Sequence, residues 1–313
     1  MAVGRFAPSP TGALHLGNLR TAMLAWLFAR STSSRFLVRM EDLDHVVARP
    51  EYEGQQLADL ASLGVDWDGT VVRQSERRER YEGAIRLLAE QGLTYPCFCT
   101  RKEIQAAVSA PHGEVAPYPG TCRRLSSSAR RAHEAAGRRP ALRLRSDGAS
   151  VVVDDLLCGP VRGLVDDFVL RRNDGVPAYN LAVVVDDGGQ GIEQVVRGDD
   201  LLTSSPRQAG LAQLLGFATP SYAHVPLVLG PSGQRLAKRD GGVTLADQQA
   251  LGRSAEAVRS LLGASMGLCE PNEPVTMAAL VERFDPVRLP RQPWVWGQAA
   301  DRVNDAGEAP TLE

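Results

Sequence analysis

The sequence predicts an α/β fold: a parallel sheet with crossover helices, interrupted by an inserted domain. Three observations predict it. Short apolar runs bounded by Pro, Gly or acids alternate with helix-length segments up to about residue 90. The alternation breaks from about Tyr95 to Arg145, in a stretch rich in Cys, Pro, Gly, Ser and Arg. It resumes at "AYNLAVVVDD" and "IEQVVRGDDLLTSSPRQAGLAQLLG". With 313 residues, 43% of them hydrophobic and 23% charged, the chain has the make-up of a globular protein with a large core.

Taken in order, residues 3–7 read as a short buried strand ending at Pro8. "NLRTAMLAWLFAR" (18–30) is a helix, built of good formers without Gly or Pro. "RFLVRMED" (35–42) is a second strand that ends in acids. Residues 51–63 and 77–90 are helices, followed by Gly64 and Gly92 as C-terminal caps. Residues 150–175 are alternating strand-like pieces. The expected division is 1–92 for the first half of the sheet domain, 93–175 for the insertion, 176–229 for the second half, and 230–313 for a basic loop and short helices ending in an acidic tail.

Composition excludes several classes. No apolar run approaches the ~20 residues that span a bilayer. No basic segment followed by an apolar one opens the chain, so a cytoplasmic address is expected. A net charge of -2 argues against a generic polyanion binder. Yet eight arginines and a single acid, Glu134, lie between Arg123 and Arg145. That cluster reads either as a solvated face or as a surface for nucleic-acid phosphates. Five cysteines, at 97, 99, 122, 158 and 269, are an odd number and do not suggest a disulfide framework. Cys158 and Cys269 read as small core residues.

Two stretches carry candidate chemistry. In "GRFAPSPTGALHLGNLR" (4–20) a strand feeds a helix N-terminus, where open α/β sheets bind ligands and unpaired N–H groups favour phosphate. Gly12 and Gly17 allow close backbone approach, and His15 and Asn18 share a face. Neither common nucleotide-binding glycine motif is present, so an ordinary βα turn is the competing reading. The second stretch, "GPSGQRLAKRDGG" (230–242), carries Arg235, Lys238 and Arg239 between glycines. Alone, it reads equally as an exposed, charged hairpin loop.

Together these stretches resemble the two ATP-binding signatures of the class I aminoacyl-tRNA synthetases. "RFAPSPTGALHLGN", "VRMEDLD", "AYNLAVVVDD" and "VRGDDLLTSSPRQ" are similar to the glutamyl branch of that class, and the similarity runs from Arg5 to about Gly242. Within the branch the chain most resembles the glutamyl-Q tRNA(Asp) synthetases, stand-alone paralogues of the catalytic half of glutamyl-tRNA synthetase. These attach glutamate to the queuosine base in the anticodon of tRNA(Asp). Only 75 residues follow Lys238, fewer than an anticodon-reading domain of ~100 residues needs. Arg197-Gly-Asp-Asp-Leu201 stands where the parent reads Arg-Gly-x-Glu-Trp, and "CFCT…YPGTC" has the paralogue's zinc-site spacing.

The resemblance implies a Rossmann-like class I catalytic domain with an inserted zinc-bearing, acceptor-type domain and a short helical C-terminal segment. It assigns Arg5, Ser9, Glu41, Tyr179 and Arg197 to L-glutamate. It assigns His15, Gly17, Asn18 and Lys238 to ATP with Mg²⁺, with His15 and Lys238 catalytic. Cys97, Cys99, Tyr118 and Cys122 would hold one structural Zn²⁺; spacing alone leaves free buried thiols equally open. Glutamate carries two carboxylates and one ammonium, so Glu41 suits the ammonium and the Arg5 and Arg197 forks suit the carboxylates, in an order left open. Arg5 and Glu41 could instead pair with each other, and Asp42 and Asp44 read as capping or surface acids. Ala237 stands where the class often has serine, one hydroxyl fewer for a phosphate. The expected partner is the tRNA(Asp) anticodon stem-loop, held by the arginine-rich insertion of a monomer that meets no membrane. The alternatives are a truncated glutamyl-tRNA synthetase charging 3′ ends, a small-molecule adenylyltransferase, and a catalytically silent tRNA-binding module.

Overall fold

The computed structural model describes residues 3–100, 102–104, 118–236 and 240–297. Strand β1 (Val3–Phe6) leads into helix α1 (Leu16–Arg30), which is buried almost all round because it has no polar face. Next come β2 (Arg35–Met40), α2 (Pro50–Ser62), β3 (Val72–Arg73) and α3 (Arg78–Glu90). Pro50 at the start of α2 and Glu51 and Glu53 in its first turn mark its N-terminus. Gly64 (φ +83°) and Gly92 (φ +71°) end the two helices in the left-handed conformation expected of them.

The middle of the chain forms β4 (Thr94–Cys97), α4 (Ser127–Ala135), β5 (Ala141–Leu144), β6 (Ser150–Asp155), β7 (Gly159–Leu164) and β8 (Val169–Arg171). The second half follows as α5 (Tyr179–Gln190), β9 (Gln194–Gly198), α6 (Ser205–Leu214) and β10 (Ser221–Val225). The remainder is β11 (Val228–Leu229), α7 (Leu245–Ala250), α8 (Ala255–Ser265), α9 (Met277–Arg283) and β12 (Trp294–Val295).

The main sheet has the order β3-β2-β1-β9-β10-β6-β7 and is parallel except for the last pair. The order reverses between β1 and β9, which is the topological switch point of an open α/β sheet. Its two faces are read directly from the period-2 alternation. Phe36, Val38, Met40, Val196, Ala223 and Val225 face α1 and the C-terminal helices. Val3, Leu37, Val153, Val195 and Tyr222 form a core on the opposite face.

The stretch 93–175 divides between two places. β4, β5 and β8 make a separate antiparallel sheet, whereas the β6–β7 hairpin joins the edge of the main sheet through Tyr222 and Asp155. Cys158 is not a core residue: it lies exposed in the turn of that hairpin, where apolar Leu156 and Leu157 precede it, and Cys269 is half-buried. The C-terminal helices pack against α1, with Val258, Leu262, Met277 and Leu280 in one cluster with Leu24 and Leu27. The acidic tail lies outside the described residues.

One buried acid opposes the fold. Asp59 on α2 is pushed up to about 6 by burial, and its Oδ2 has no hydrogen-bond partner among the described residues. A folded value above the ordinary carboxylate value near ~4 means the folded state holds the proton more tightly. The associated stability is present at low pH and is lost as pH rises through about 6. Asp59→Asn is therefore expected to raise Tm by several degrees at pH 7.5 and by little at pH 4.5. Equal melting of both proteins at pH 7.5 would contradict this.

Candidate active site

Period-2 alternation places Arg5 on β1, Arg39 on β2, Arg197 on β9 and His224 on β10 on the same face of the sheet as Val3, Leu37, Val195 and Tyr222. Arg5, Arg197 and Glu41 all sit at or just beyond the carboxyl ends of strands flanking the switch point. Helix α5 crosses this face and brings Asp186 and Asp187 against them.

The result is a buried charge network. Arg39, fully buried, donates to Asp187 (2.7 Å), Gln190 (2.8 Å) and Glu41 (3.4 Å). Arg5 donates through Nε to the same Asp187 (3.4 Å) and through Nη1 to the Val196 carbonyl (3.3 Å). Burial works against both partners' charges, yet Arg39 and Arg5 hold the Asp187 carboxyl below its usual range, and Asp187, Glu41 and Asp186 hold Arg39 above its own. Glu41 is pushed up by burial, against the pull of Arg39 and Arg5. Arg5 and Glu41 thus have separate partners instead of each other. Nη2 of Arg5 is unpartnered among the described residues, which leaves it an Nη1–Nη2 edge able to grip a carboxylate.

Arg197 is held more completely. It donates through Nε to His224 Nε2 (3.0 Å), through Nη1 to Gln208 (2.7 Å), and through Nη2 to Ser205 Oγ (2.9 Å) and the Leu201 carbonyl (3.3 Å). A guanidinium has five N–H groups, so one on Nη1 is left for a ligand. The two-pronged grip expected of both arginines is therefore available at Arg5 and not at Arg197. Tyr179 opens α5, half-exposed, where it feels the charges of Glu41, Arg197 and Arg5. Ser9 is exposed on the connector. Its carbonyl and that of Gly12 accept from buried Gln56 of α2 (3.1 and 2.7 Å), so α2 shapes this loop.

At the other end of the connector, His15 caps α1. Its Nδ1 accepts from the Asn18 N–H (3.1 Å), while the Asn18 carboxamide oxygen accepts from the His15 N–H (3.2 Å). This starts the helix at Leu16, two residues ahead of the expected start. Burial, aided by the Arg235 charge, pushes His15 below its ordinary value, so the ring is neutral with its proton on Nε2. A Cβ at Gly17 would lie 3.0 Å from two His15 ring atoms and 3.2 Å from Val228 Cβ, so any larger residue would press on the His15 ring. The basic loop is tied to this corner at both ends: Leu236 N–H donates to Val228, and Leu16 N–H donates to Val243 (2.7 Å). Arg235 pairs with Asp200 (3.0 Å). Lys238 lies outside the described residues.

In the insertion the Sγ atoms of Cys97, Cys99 and Cys122 lie within 4.8 Å of one another. Tyr118 Oη is 3.3 Å from Cys97 Sγ and 3.4 Å from Cys99 Sγ. Three soft thiols and an oxygen converging on one point fit a tetrahedral metal. The arginine cluster divides. Arg123 pairs with Asp167 (2.6 Å), Arg138 pairs with Glu103 (2.8 Å), Arg143 covers the Tyr118 ring (3.7 Å), and Arg145 covers Tyr95 (5.0 Å). Arg124, Arg131 and Arg139 are exposed and make no ion pair among the described residues.

Sequence reasoning missed Arg39, Asp186, Asp187, Asp155 and His224. Their available signal was a charge placed where strand or helix periodicity demands an apolar residue. Asp42, read as a capping or surface acid, instead accepts the Ser75 N–H (2.8 Å) and so ties the end of β2 to the turn before α3; Asp44 pairs at the surface with Arg172.

Residues 1–298 match the family model for the catalytic domain of class I tRNA synthetases (E and Q). The chain belongs to this family. A glutamyl-Q tRNA(Asp) synthetase of Nocardia farcinica is 62% identical over 93% of this chain and 92% of its own length. A Symbiobacterium thermophilum protein of the same name is 49% identical over 94% and 95%. A glutamate–tRNA ligase of Synechococcus is 43% identical, but the match spans 55% of that longer protein. Among solved structures, the glutamate tRNA ligase of Elizabethkingia meningosepticum, in complex with its amino acid, superposes with a TM-score of 0.81 at 26% identity, covering 96% of this chain and 68% of that one. The class I synthetase fold accounts for the switch-point position of the charged corner. Among the described residues no helix is long and apolar enough to cross a membrane.

Proposed function

We infer that this class I synthetase is an ATP-dependent ligase that activates L-glutamate and transfers it to queuosine in the anticodon of tRNA(Asp). The observation that carries the reading is the charged corner at the β1–β9 switch point, two arginines and a carboxylate beside a histidine-capped helix start. Free glutamate has the complementary charges. Arg5 takes one carboxylate, Arg197 contributes its remaining Nη1–H to the other, and Glu41 meets the ammonium, with Ser9 and Tyr179 lining the approach.

Once glutamate and ATP are seated, a carboxylate oxygen attacks the α-phosphorus and pyrophosphate leaves with the bonding electron pair, giving glutamyl-adenylate. Mg²⁺ carried by ATP would supply charge neutralisation at the phosphates. The chain's own work is placement and charge stabilisation, since no protein nucleophile is needed. His15 donates through Nε2–H to the developing negative charge; being neutral and locked by Asn18, it donates without moving a proton. Gly17 and Asn18 complete the helix N-terminus, and Lys238 brings a positive charge to the leaving pyrophosphate. A hydroxyl of the modified base then attacks the glutamyl carbonyl and AMP leaves. Cys97, Cys99, Tyr118 and Cys122 would hold one structural Zn²⁺, which ties the insertion together. Arg124, Arg131 and Arg139 are among the exposed cations of that insertion available to RNA phosphates.

Identity of 62% to the Nocardia relative, against 43% to the Synechococcus ligase, favours this reading over 3′-end charging. The test is incubation of ATP and labelled glutamate with tRNA(Asp) containing or lacking queuosine, each with the 3′-terminal adenosine intact or removed. Label is expected with queuosine alone and independent of the terminus. Label on tRNA(Glu), or loss after removal of the terminal adenosine, overturns it.

A further inference from the structure

Behind Arg197 lies a second pair of side chains. His224 is 1% exposed and Asp155 4%. His224 Nδ1 is 2.6 Å from Asp155 Oδ2, and its Nε2 accepts from Arg197 Nε at 3.0 Å. Asp155 also accepts the N–H groups of Leu157 and Cys158 (2.9 Å each) through Oδ1 and that of His224 (3.2 Å) through Oδ2. These bonds outweigh burial and hold its carboxyl down at about 2, so it is an acceptor only. Burial keeps His224 below its ordinary value despite Asp155 beside it, with the Arg197 charge helping. The ring is therefore neutral, with its proton on Nδ1 facing Asp155 and a lone pair on Nε2 facing Arg197.

We propose that Asp155 and His224 are positioning residues for glutamate capture: Asp155 selects the His224 tautomer, and that tautomer orients the Arg197 guanidinium toward the substrate carboxylate. The proposal rests on the reading of Arg197 as a glutamate ligand. Gln208, Ser205 and the Leu201 carbonyl hold the Nη groups of Arg197, and Ser205 Oγ also lies 3.3 Å from His224 Nε2. Arg197 Nε has no partner but His224 among the described residues, so the acceptor at Nε2 completes the orientation of the guanidinium. In Asp155→Asn the amide oxygen stays with the Leu157 and Cys158 N–H groups, which places the NH₂ where Oδ2 was, facing Nδ1. That NH₂ donates to Nδ1, the ring proton moves to Nε2, and two donors confront each other across the His224–Arg197 contact. His224→Ala removes the acceptor, whereas His224→Gln restores an amide oxygen within reach of the Nε2 position.

The test is glutamate-dependent ATP–pyrophosphate exchange on the full chain, with KM for glutamate and for ATP measured separately and the imidazole ¹⁵N shifts read by NMR. Asp155→Asn is expected to switch the His224 tautomer and raise KM for glutamate about tenfold or more, with KM for ATP within about twofold, the size expected when a buried donor loses its acceptor. His224→Ala should raise KM for glutamate similarly and His224→Gln should return it to within about threefold of the original. Because Asp155→Asn could fail to fold, the His224 pair tests the proposal by itself. A switched tautomer with unchanged KM for glutamate, or equal KM in His224→Ala and His224→Gln, overturns it while Arg197→Lys still raises that KM. If Arg197→Lys leaves the KM for glutamate unchanged, the ligand reading itself is wrong and the proposal falls with it.

Discussion

Replacing His15 by Ala lowers glutamate-dependent ATP–pyrophosphate exchange by roughly 100-fold or more, the range seen when one fixed donor to a developing oxyanion is lost. The geometry explains why one side chain matters so much. Nδ1 is committed to the Asn18 N–H, so Nε2–H is a donor whose direction is set before ATP arrives. Removing the ring also removes a helix cap, worth about 1 kcal/mol, so part of any effect could be lost stability. His15→Asn separates the two: asparagine restores the cap and the melting temperature but not the reach of Nε2, and exchange should stay low. Gly17→Ala probes the same geometry from behind, because its Cβ would meet the His15 ring at 3.0 Å. Turnover should drop about tenfold or more, while circular dichroism is unchanged. Exchange within threefold of the parent in His15→Ala would remove His15 from the chemistry.

Cys122→Ser abolishes zinc binding and, with it, transfer of glutamate to tRNA, while pyrophosphate exchange stays within about threefold. Among the described residues, the cluster around the cysteines has Tyr95, Cys97, Phe98 and Cys122 buried, with Cys99, Tyr118 and Leu125 packed against them. So small a cluster needs a metal or similar tie to stay folded. The glutamate corner belongs to the main sheet and does not share this core. Zinc per chain, limited proteolysis of the insertion, and the two half-reactions measured separately check the prediction. Protein purified without chelators that carries no zinc, yet keeps a protease-resistant insertion, would sink it.

Much of this was legible in the chain. α1 announces itself because residues 18–30 are good helix formers without Gly or Pro, and the connector does so because Pro, Gly and a His–Asn pair bunch at a helix start. The cysteine cluster shows in its spacing. Other parts were not legible, for a physical reason: they join residues far apart in sequence. Arg39 meets Asp187 across 148 positions and Arg5 meets it across 182, and neither partner carries a local sign of the other. The same holds for β6–β7. Alternating residues and a turn reveal a hairpin, but nothing local says which sheet edge receives it. Cys158 was misplaced because an apolar Leu-Leu-Cys run looks like core when it closes a turn. The arginine cluster could only be divided once the ring of Tyr118 and the carboxylate of Asp167 were seen to occupy Arg143 and Arg123.

The place where the insertion leaves the fold has a practical meaning for redesign. Cys97 at the end of β4 and Ala141 at the start of β5 are paired neighbours on antiparallel strands. The described residues between them, including Cys99, Cys122 and the arginines of α4 and its flanks that make no ion pair among the described residues, lie between two adjacent doorways, as a loop does in a hairpin. The β6–β7 pair, which carries Asp155, lies beyond that exit and belongs to the main sheet. Segment 98–140 is thus an exchangeable cassette: a different RNA reader spliced across the β4–β5 pair would inherit the glutamate-activating machine intact. Cutting at the wider boundary of 93–175 would instead pull two strands, β6 and β7, out of the sheet and the Asp155 carboxylate out from behind Arg197.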